Sequence, residues 1–179
     1  MKYNFGITGH TGVLGSEFIK YNSSKKFIKF KGNITKKKDV REWISKKNIN
    51  FLFHFAAVVP TKIVTSNFNY ANKVNFIGTK ILVDECLKSK KIKWFFFAST
   101  SHVYGFSNKR IKETKKTRPI SKYGLTKLRA ENYIIKIFNK NNIPYCISRI
   151  FSFTHKNQSE DFVVPSIMKK IEEENYTFE

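Results

Sequence analysis

The sequence predicts an α/β fold, a parallel sheet doubly wound with helices, on three observations. Stretches of strand and helix character alternate five times along the 179 residues, the order that parallel neighbours joined by crossover helices require. Residues 51–57 and 92–98 are apolar runs without the polar alternation of a half-exposed strand, as expected of strands covered on both faces. A glycine triplet, Gly9, Gly12 and Gly15, falls where the first strand hands over to the first helix.

Taken in order, residues 2–8 read as the first strand and residues 12–21 as a helix that Asn22-Ser23-Ser24 breaks. Residues 27–30 alternate apolar and basic side chains, a short second strand. Val40, Trp43 and Ile44 stand at helical spacing within 36–47. The third strand, 51–57, leads to a loop at Pro60 and a long helix over 67–90. Its apolar stripe is Val74, Ile77, Ile81, Leu82 and Cys86. After the fourth strand, 92–98, a polar loop runs to Pro119. A helix follows over 121–141 with Leu125, Leu128, Ile135 and Phe138 on one side. Residues 144–150 read as a fifth strand and 166–174 as a short last helix.

Composition narrows the functional classes. With 41% hydrophobic and 16% aromatic residues the chain is globular, long enough for one domain and too short for two ordinary ones. Its apolar runs fall far below the roughly 20 residues that span a bilayer. The N-terminus has no apolar core of a secretory signal, so a cytoplasmic protein without membrane partners is expected. Cys86 and Cys146 have no metal-ligand spacing around them and read as small buried hydrophobes; no metal is expected. The net charge of +21 would suit a nucleic-acid binder. Yet the lysines are scattered and flank predicted elements, and the joint richness in Asn, Ile, Phe and Lys is what AT-rich coding produces. A nucleic-acid partner is therefore not expected, while a basic surface favours anionic small molecules.

The glycine triplet divides into three tasks. One glycine allows the tight turn out of the strand, one lets the backbone approach a diphosphate, and one permits close helix–strand packing. The helix N-terminus behind them offers free N–H groups and the positive end of its dipole. An acidic residue about 20 positions on would grip an adenosine ribose. None occurs over 18–38, where Lys29 and Lys31 stand instead and suit a 2′-phosphate. The second motif is Tyr123-Gly-Leu-Thr-Lys127, a phenol and an ammonium one helical turn apart. A tyrosine is a poor base at neutral pH, but a neighbouring cation favours its phenolate. Ser99-Thr100-Ser101 brings hydroxyls to the end of the fourth strand, where such a sheet opens its crevice.

These motifs, in this order, resemble the extended short-chain dehydrogenase/reductases, the NAD(P)-dependent nucleotide-sugar epimerase/dehydratase family with its Rossmann-type fold. The resemblance runs over about residues 3–152. It includes Thr8-Gly9-x-x-Gly12-x-x-Gly15, Gly32-Asn33-Ile34-Thr35, His54-Phe55-Ala56-Ala57 and Val74-Asn75-x-x-Gly78-Thr79. It continues through Ser99-Thr100-Ser101-His-Val-Tyr104-Gly105, Ser121-x-Tyr123-Gly-x-x-Lys127 and Arg149-Ile-Phe151. It implies Tyr123 as acid/base, Lys127 on the nicotinamide ribose and Thr100 at the catalytic Ser/Thr position. It implies NAD or NADP held by Gly9, Thr11, Gly12, Val13, Leu14, Gly15, Asn33, Ile34, Phe55, Ala56, Ala57, Asn75, Ala98 and Ser99, together with Tyr123 and Lys127. Ser101 and Ser152 would face a nucleotide-sugar substrate, and the Tyr–Lys helix would take part in a homodimer.

Two departures matter. Family dehydratases carry Asp-Glu directly after the catalytic Thr, where this chain has Ser101-His102, which argues for an epimerase or reductase. Ser152 and His155 stand where the family commonly has Asn and a Gly-Pro turn. The expected organisation is an NAD(P)-binding domain over 1–150, followed by the start of a truncated substrate lobe over 151–179. The alternative is an inactive dinucleotide-binding module without a complete substrate lobe.

Overall fold

A computed structural model describes residues 3–59, 64 and 66–173 of the chain. The elements are β1 (Phe5–Thr8), α1 (Val13–Tyr21), β2 (Phe27–Lys29), α2 (Lys37–Lys47), β3 (Phe51–His54) and α3 (Phe68–Asn72). Then come a π-helical segment (Lys73–Gly78), α4 (Thr79–Ser89), β4 (Trp94–Thr100), a 3₁₀ turn (Ser101–Val103), α5 (Lys122–Lys140), β5 (Tyr145–Ile150) and α6 (Val163–Glu172). Pro60, and the predicted element ends at 2 and 174, lie outside the described residues.

The five strands form one parallel sheet in the order β2-β1-β3-β4-β5, a Rossmann-like α/β fold. The chain moves outward in one direction from β1 to β2 and in the other from β1 through β3 to β5. The order therefore reverses between β1 and β3, and a crevice opens at their carboxyl ends. Local chemistry sets the helix ends. Ser121 caps α5 by accepting a hydrogen bond from the Gly124 N–H at 3.0 Å. Left-handed Asn48 (φ 48°) and Lys90 (φ 54°) close α2 and α4.

The main core lies on one face of the sheet. Val40, Trp43 and Ile44 of α2, Leu82, Val83 and Cys86 of α4, and Ala130, Ile134 and Phe138 of α5 cover Leu52, Phe95 and Phe97. Each such large side chain contributes about 1.5–3 kcal/mol by leaving water. On the other face Phe18 of α1 meets Phe27, Phe53 and Phe55 with centroids 5.5, 4.7 and 5.2 Å away. Farther along, Phe51, Trp94 and Phe96 are only half-buried, so β3 and β4 are not closed on both faces as their apolar runs suggested. Cys146 is exposed on β5 for the same reason, and Cys86 alone is a buried thiol.

Two helices differ from their expected stripes. The π segment adds a residue to one turn of the long helix and takes its own Ile77 off the buried stripe, at 36% exposure, while Leu82 and Cys86 beyond it stay buried. In α5 the buried face over its first half is polar: Thr126, Lys127 and Glu131 point inward, and Leu125 and Leu128 lie only partly covered. The last helix starts at Val163 because Pro165 fits its first turn, where no backbone N–H is needed. None of its residues is buried.

Candidate active site

The glycine loop leaves β1 through Gly9, whose φ of +71° suits only glycine comfortably. A Cβ there would lie 2.4 Å from the Ala56 nitrogen, so the turn rests on the backbone that comes after β3. At Gly15 a Cβ would come within 2.2 Å of the Gly9 carbonyl oxygen, which explains the tight seat of α1 on the loop. Gly12 differs. A Cβ there would meet nothing in the chain closer than the Gly9 oxygen at 3.5 Å. It is the helix cap residue, makes no side-chain cap, and is exposed with Thr11, while Val13 and Leu14 are half-buried. The first N–H groups of α1 therefore face an open cradle. His10 Nδ1 is buried beside it and has no hydrogen-bond partner among the described residues. Burial, then Lys29 and Lys31, lower the His10 pKa, so two cations lie near enough to the loop to be felt.

A buried polar chain runs from this loop to α5. Thr8 Oγ1 and His54 Nδ1 are 2.6 Å apart, and His54 Nε2 and Thr79 Oγ1 are 2.8 Å apart. Thr79 donates its own proton to the Asn75 carbonyl at 2.7 Å, so it must accept from His54. That fixes the tautomer: Nε2 carries the hydrogen and Nδ1 accepts from Thr8. Burial, and then the Lys127 charge, hold the His54 imidazole well below the usual histidine range, keeping it neutral. The Asn75 side chain accepts from the Val58 N–H at 2.7 Å and donates to the Val58 carbonyl and Thr126 Oγ1. Thr126 in turn donates to the Tyr123 carbonyl at 2.8 Å. Asn75 thus sits in the π segment as a rivet between loop and helix.

Tyr123 and Lys127 stand on successive turns of α5 at the carboxyl end of β4. The Lys127 side chain is 2% exposed, its Nζ 4.1 Å from the centroid of Phe97, with no anionic or hydrogen-bonding partner among the described residues. Burial drops its pKa to about 7, and Glu131 opposes the drop. Burial likewise pushes the Tyr123 phenol up to about 12. Thr100 closes β4, is 5% exposed and accepts from the His102 N–H at 3.2 Å. The exposed His102 stands with its ring 5.8 Å from that of Tyr123.

The remaining expected residues divide. Ala98 and Ser99 are buried on β4. Ala56 and Ala57 lie half-buried after β3, and Phe55 turns its ring against Phe18 and Phe96. Ile34 is in the core, where it meets Gly78, and Asn33 spends its side-chain oxygen on Thr35. Ser101 opens the 3₁₀ turn and Ser152 is exposed beyond β5. Sequence reasoning missed Glu131, which is fully buried, and Gly124. A Cβ on Gly124 would collide with the His102 carbonyl oxygen at 2.1 Å, so glycine lets the strand end press onto α5. The glycine directly after Tyr123 was the available signal.

A nicotinamide dinucleotide fits these features: an open glycine cradle, an unpartnered buried nitrogen beside it, and a buried ammonium without an acceptor. The profile of the family described as GDP-mannose 4,6 dehydratase matches residues 15–176. The chain belongs to this family. Among its relatives, an uncharacterized UDP-glucose epimerase, YtcB, of Bacillus subtilis (strain 168) is 27% identical over 124 residues, 69% of this chain and 39% of that protein. Two solved structures share the fold. dTDP-glucose 4,6-dehydratase from Streptomyces venezuelae, with NAD bound, aligns at a TM-score of 0.87 and 15% identity over 96% of this chain and 62% of its own. dTDP-4-dehydrorhamnose reductase from Bacillus anthracis, in complex with NADP, aligns at 0.83 and 21% over 97% and 61%. The chain thus spans less than two thirds of each protein's length. Among the described residues no group of three or more side chains could hold a metal, and no helix is long and apolar enough to cross a membrane.

Proposed function

We propose that this chain binds a nicotinamide dinucleotide across the β1/β3 crevice and acts on a nucleotide-linked sugar as an epimerase or reductase. The observation that carries the reading is the convergence at one sheet edge of the Gly9–Gly15 cradle with Tyr123, Lys127 and Thr100. Gly12 and the first N–H groups of α1 would hold the diphosphate, and Lys127 would supply its ammonium to the nicotinamide ribose. A bound dinucleotide would supply the hydride chemistry at the sugar carbon. Thr100 would orient the reacting sugar oxygen, and Tyr123 would take or return its proton. With its phenol pushed up to about 12 by burial, Tyr123 is poised to donate its proton. Ser101 and His102 offer no carboxylates for an elimination, which supports the epimerase or reductase reading over a dehydratase. The basic side chains near His10 favour NADP over NAD. The alternative reading is a dinucleotide-binding module without turnover.

Fluorescence titration with NADH and NADPH, then turnover of a nucleotide-sugar panel by the unaltered chain and Tyr123→Phe, tests this. Binding with turnover that Tyr123→Phe abolishes supports the enzyme. Binding without turnover supports the module, and no binding of either dinucleotide overturns both.

A further inference from the structure

Resting on the dinucleotide reading, we propose that Glu131 is a positioning residue for the Tyr123–Lys127 pair. Its buried carboxylate, clamped between β4 and β5, fixes where α5 sits and places a negative charge one helical turn from Lys127.

Glu131 is fully buried and every donor around it comes from a neighbouring strand. Oε1 accepts from the Ser99 hydroxyl of β4. Arg149 of β5 donates from Nε to Oε1 and Oε2 at 3.3 and 3.2 Å, and from Nη2 to Oε2 at 2.9 Å. Ser99 and Arg149 are register partners across the β4–β5 ladder, so the carboxylate straddles one rung of the sheet. Arg149 is itself held from the far side. Nη1 donates to the Tyr104 hydroxyl at 2.7 Å and the Glu113 carbonyl at 3.1 Å, and the guanidinium lies 4.9 Å from the Tyr104 ring. Tyr104, four residues after Thr100, belongs to the same strand end. The clamp therefore ties α5, Thr100's strand and β5 into one rigid unit, and Thr100 and Tyr123 ride on two of its members.

Its charge matters as well as its bonds. Among the described residues the ionisable groups that interact with Lys127 are neutral His54 of β3 and Glu131 of α5 itself, and Tyr123 stands one turn before it on the helix. Arg149 of β5 is bound to Glu131 and Tyr104, and uncharged Thr79 and Asn75 bond to His54 and to Thr126, the neighbour of Lys127. Among the described residues Glu131 is the one anion acting on Lys127, and it favours the ammonium. A purely structural ion pair would hold the helix without this consequence.

The test tracks the titration of Lys127 through its ¹³Cε resonance in ¹³C-lysine-labelled full chain, assigned by its loss in Lys127→Met. Glu131→Gln keeps an acceptor for Ser99 but loses the charge, and should move the Lys127 midpoint down by about one pH unit, a roughly tenfold loss of ammonium above it. Arg149→Gln removes the guanidinium that makes burial of the carboxylate's charge tolerable, so it too should move the midpoint down, which keeps the idea testable if Glu131→Gln does not fold. An unmoved midpoint in either folded variant overturns the proposal. The readout needs no dinucleotide, so failure of the chain to bind NADPH would sink the cofactor reading and leave this result separate.

Discussion

The carbonyl oxygen of His102 lies 2.1 Å from the point where a Cβ on Gly124 would stand. The 3₁₀ turn that ends β4 is thus pressed directly onto the first turn of α5, and only a glycine after Tyr123 permits the contact. Gly124→Ala must push the two apart, with backbone rather than a flexible side chain in the way. We expect a loss of about 1–3 kcal/mol in chemical denaturation. Because the shift separates Thr100 from Tyr123, we also expect turnover to fall more than dinucleotide affinity.

The three loop glycines should separate in experiment. Gly9→Ala and Gly15→Ala each meet backbone at under 3.0 Å and should lower the melting temperature by several degrees. Gly12→Ala meets no such obstacle, so its melting temperature should stay within about a degree while NADPH affinity falls at least roughly tenfold. Calorimetry beside fluorescence titration reads both. A destabilised Gly12→Ala would mean that this glycine serves the fold and not a ligand.

Lys127 makes stability depend on pH. In the folded chain its pKa is about 7, against an ordinary lysine value of 10.5, so between those limits the unfolded chain binds more protons. Its contribution therefore opposes folding in full below about pH 7 and is relieved as the pH rises toward 10.5. Lys127→Met should stabilise the chain by on the order of a few kcal/mol at pH 6, with the gain shrinking by pH 10. Thermal denaturation across that range, in the absence of dinucleotide, measures it. A gain that does not change with pH would show that the ammonium keeps its contact with water.

Cofactor choice is open to the same treatment. Lys29→Glu combined with Lys31→Glu should weaken NADPH binding roughly tenfold or more and leave NADH little changed. The His10 pKa should rise in the same variant, because both lysines lower it. Equal losses for the two dinucleotides would remove these lysines from a 2′-phosphate site.

Much of this protein could be read from its residues in order. Strand–helix alternation, the Gly9-Gly12-Gly15 spacing and the i,i+4 placement of Tyr123 and Lys127 are local features, governed by backbone periods of 2 and 3.6 and by glycine's freedom at positive φ. The tight turn and the close packing assigned to the glycines match what a Cβ would meet at Gly9 and Gly15. What local reading could not find were partners far apart in the chain. Hydrophobic periodicity assigned α5 an apolar face through Leu125 and Leu128, whereas Lys127 and Glu131 are the residues buried there. Their burial is tolerable only because Arg149 and Ser99 meet the carboxylate, and because Phe97 lies under the ammonium. The tautomer of His54 likewise depends on Thr8, 46 residues before it, and Thr79, 25 after. By itself, then, the sequence determined the fold class, the glycine turn after β1 and the placement of the phenol and ammonium one helical turn apart, since each arises from neighbours along the chain. The tertiary structure alone decided which charges are buried, which protons are held and how closely β4 meets α5. Those are set by desolvation and close packing between segments that only folding brings together.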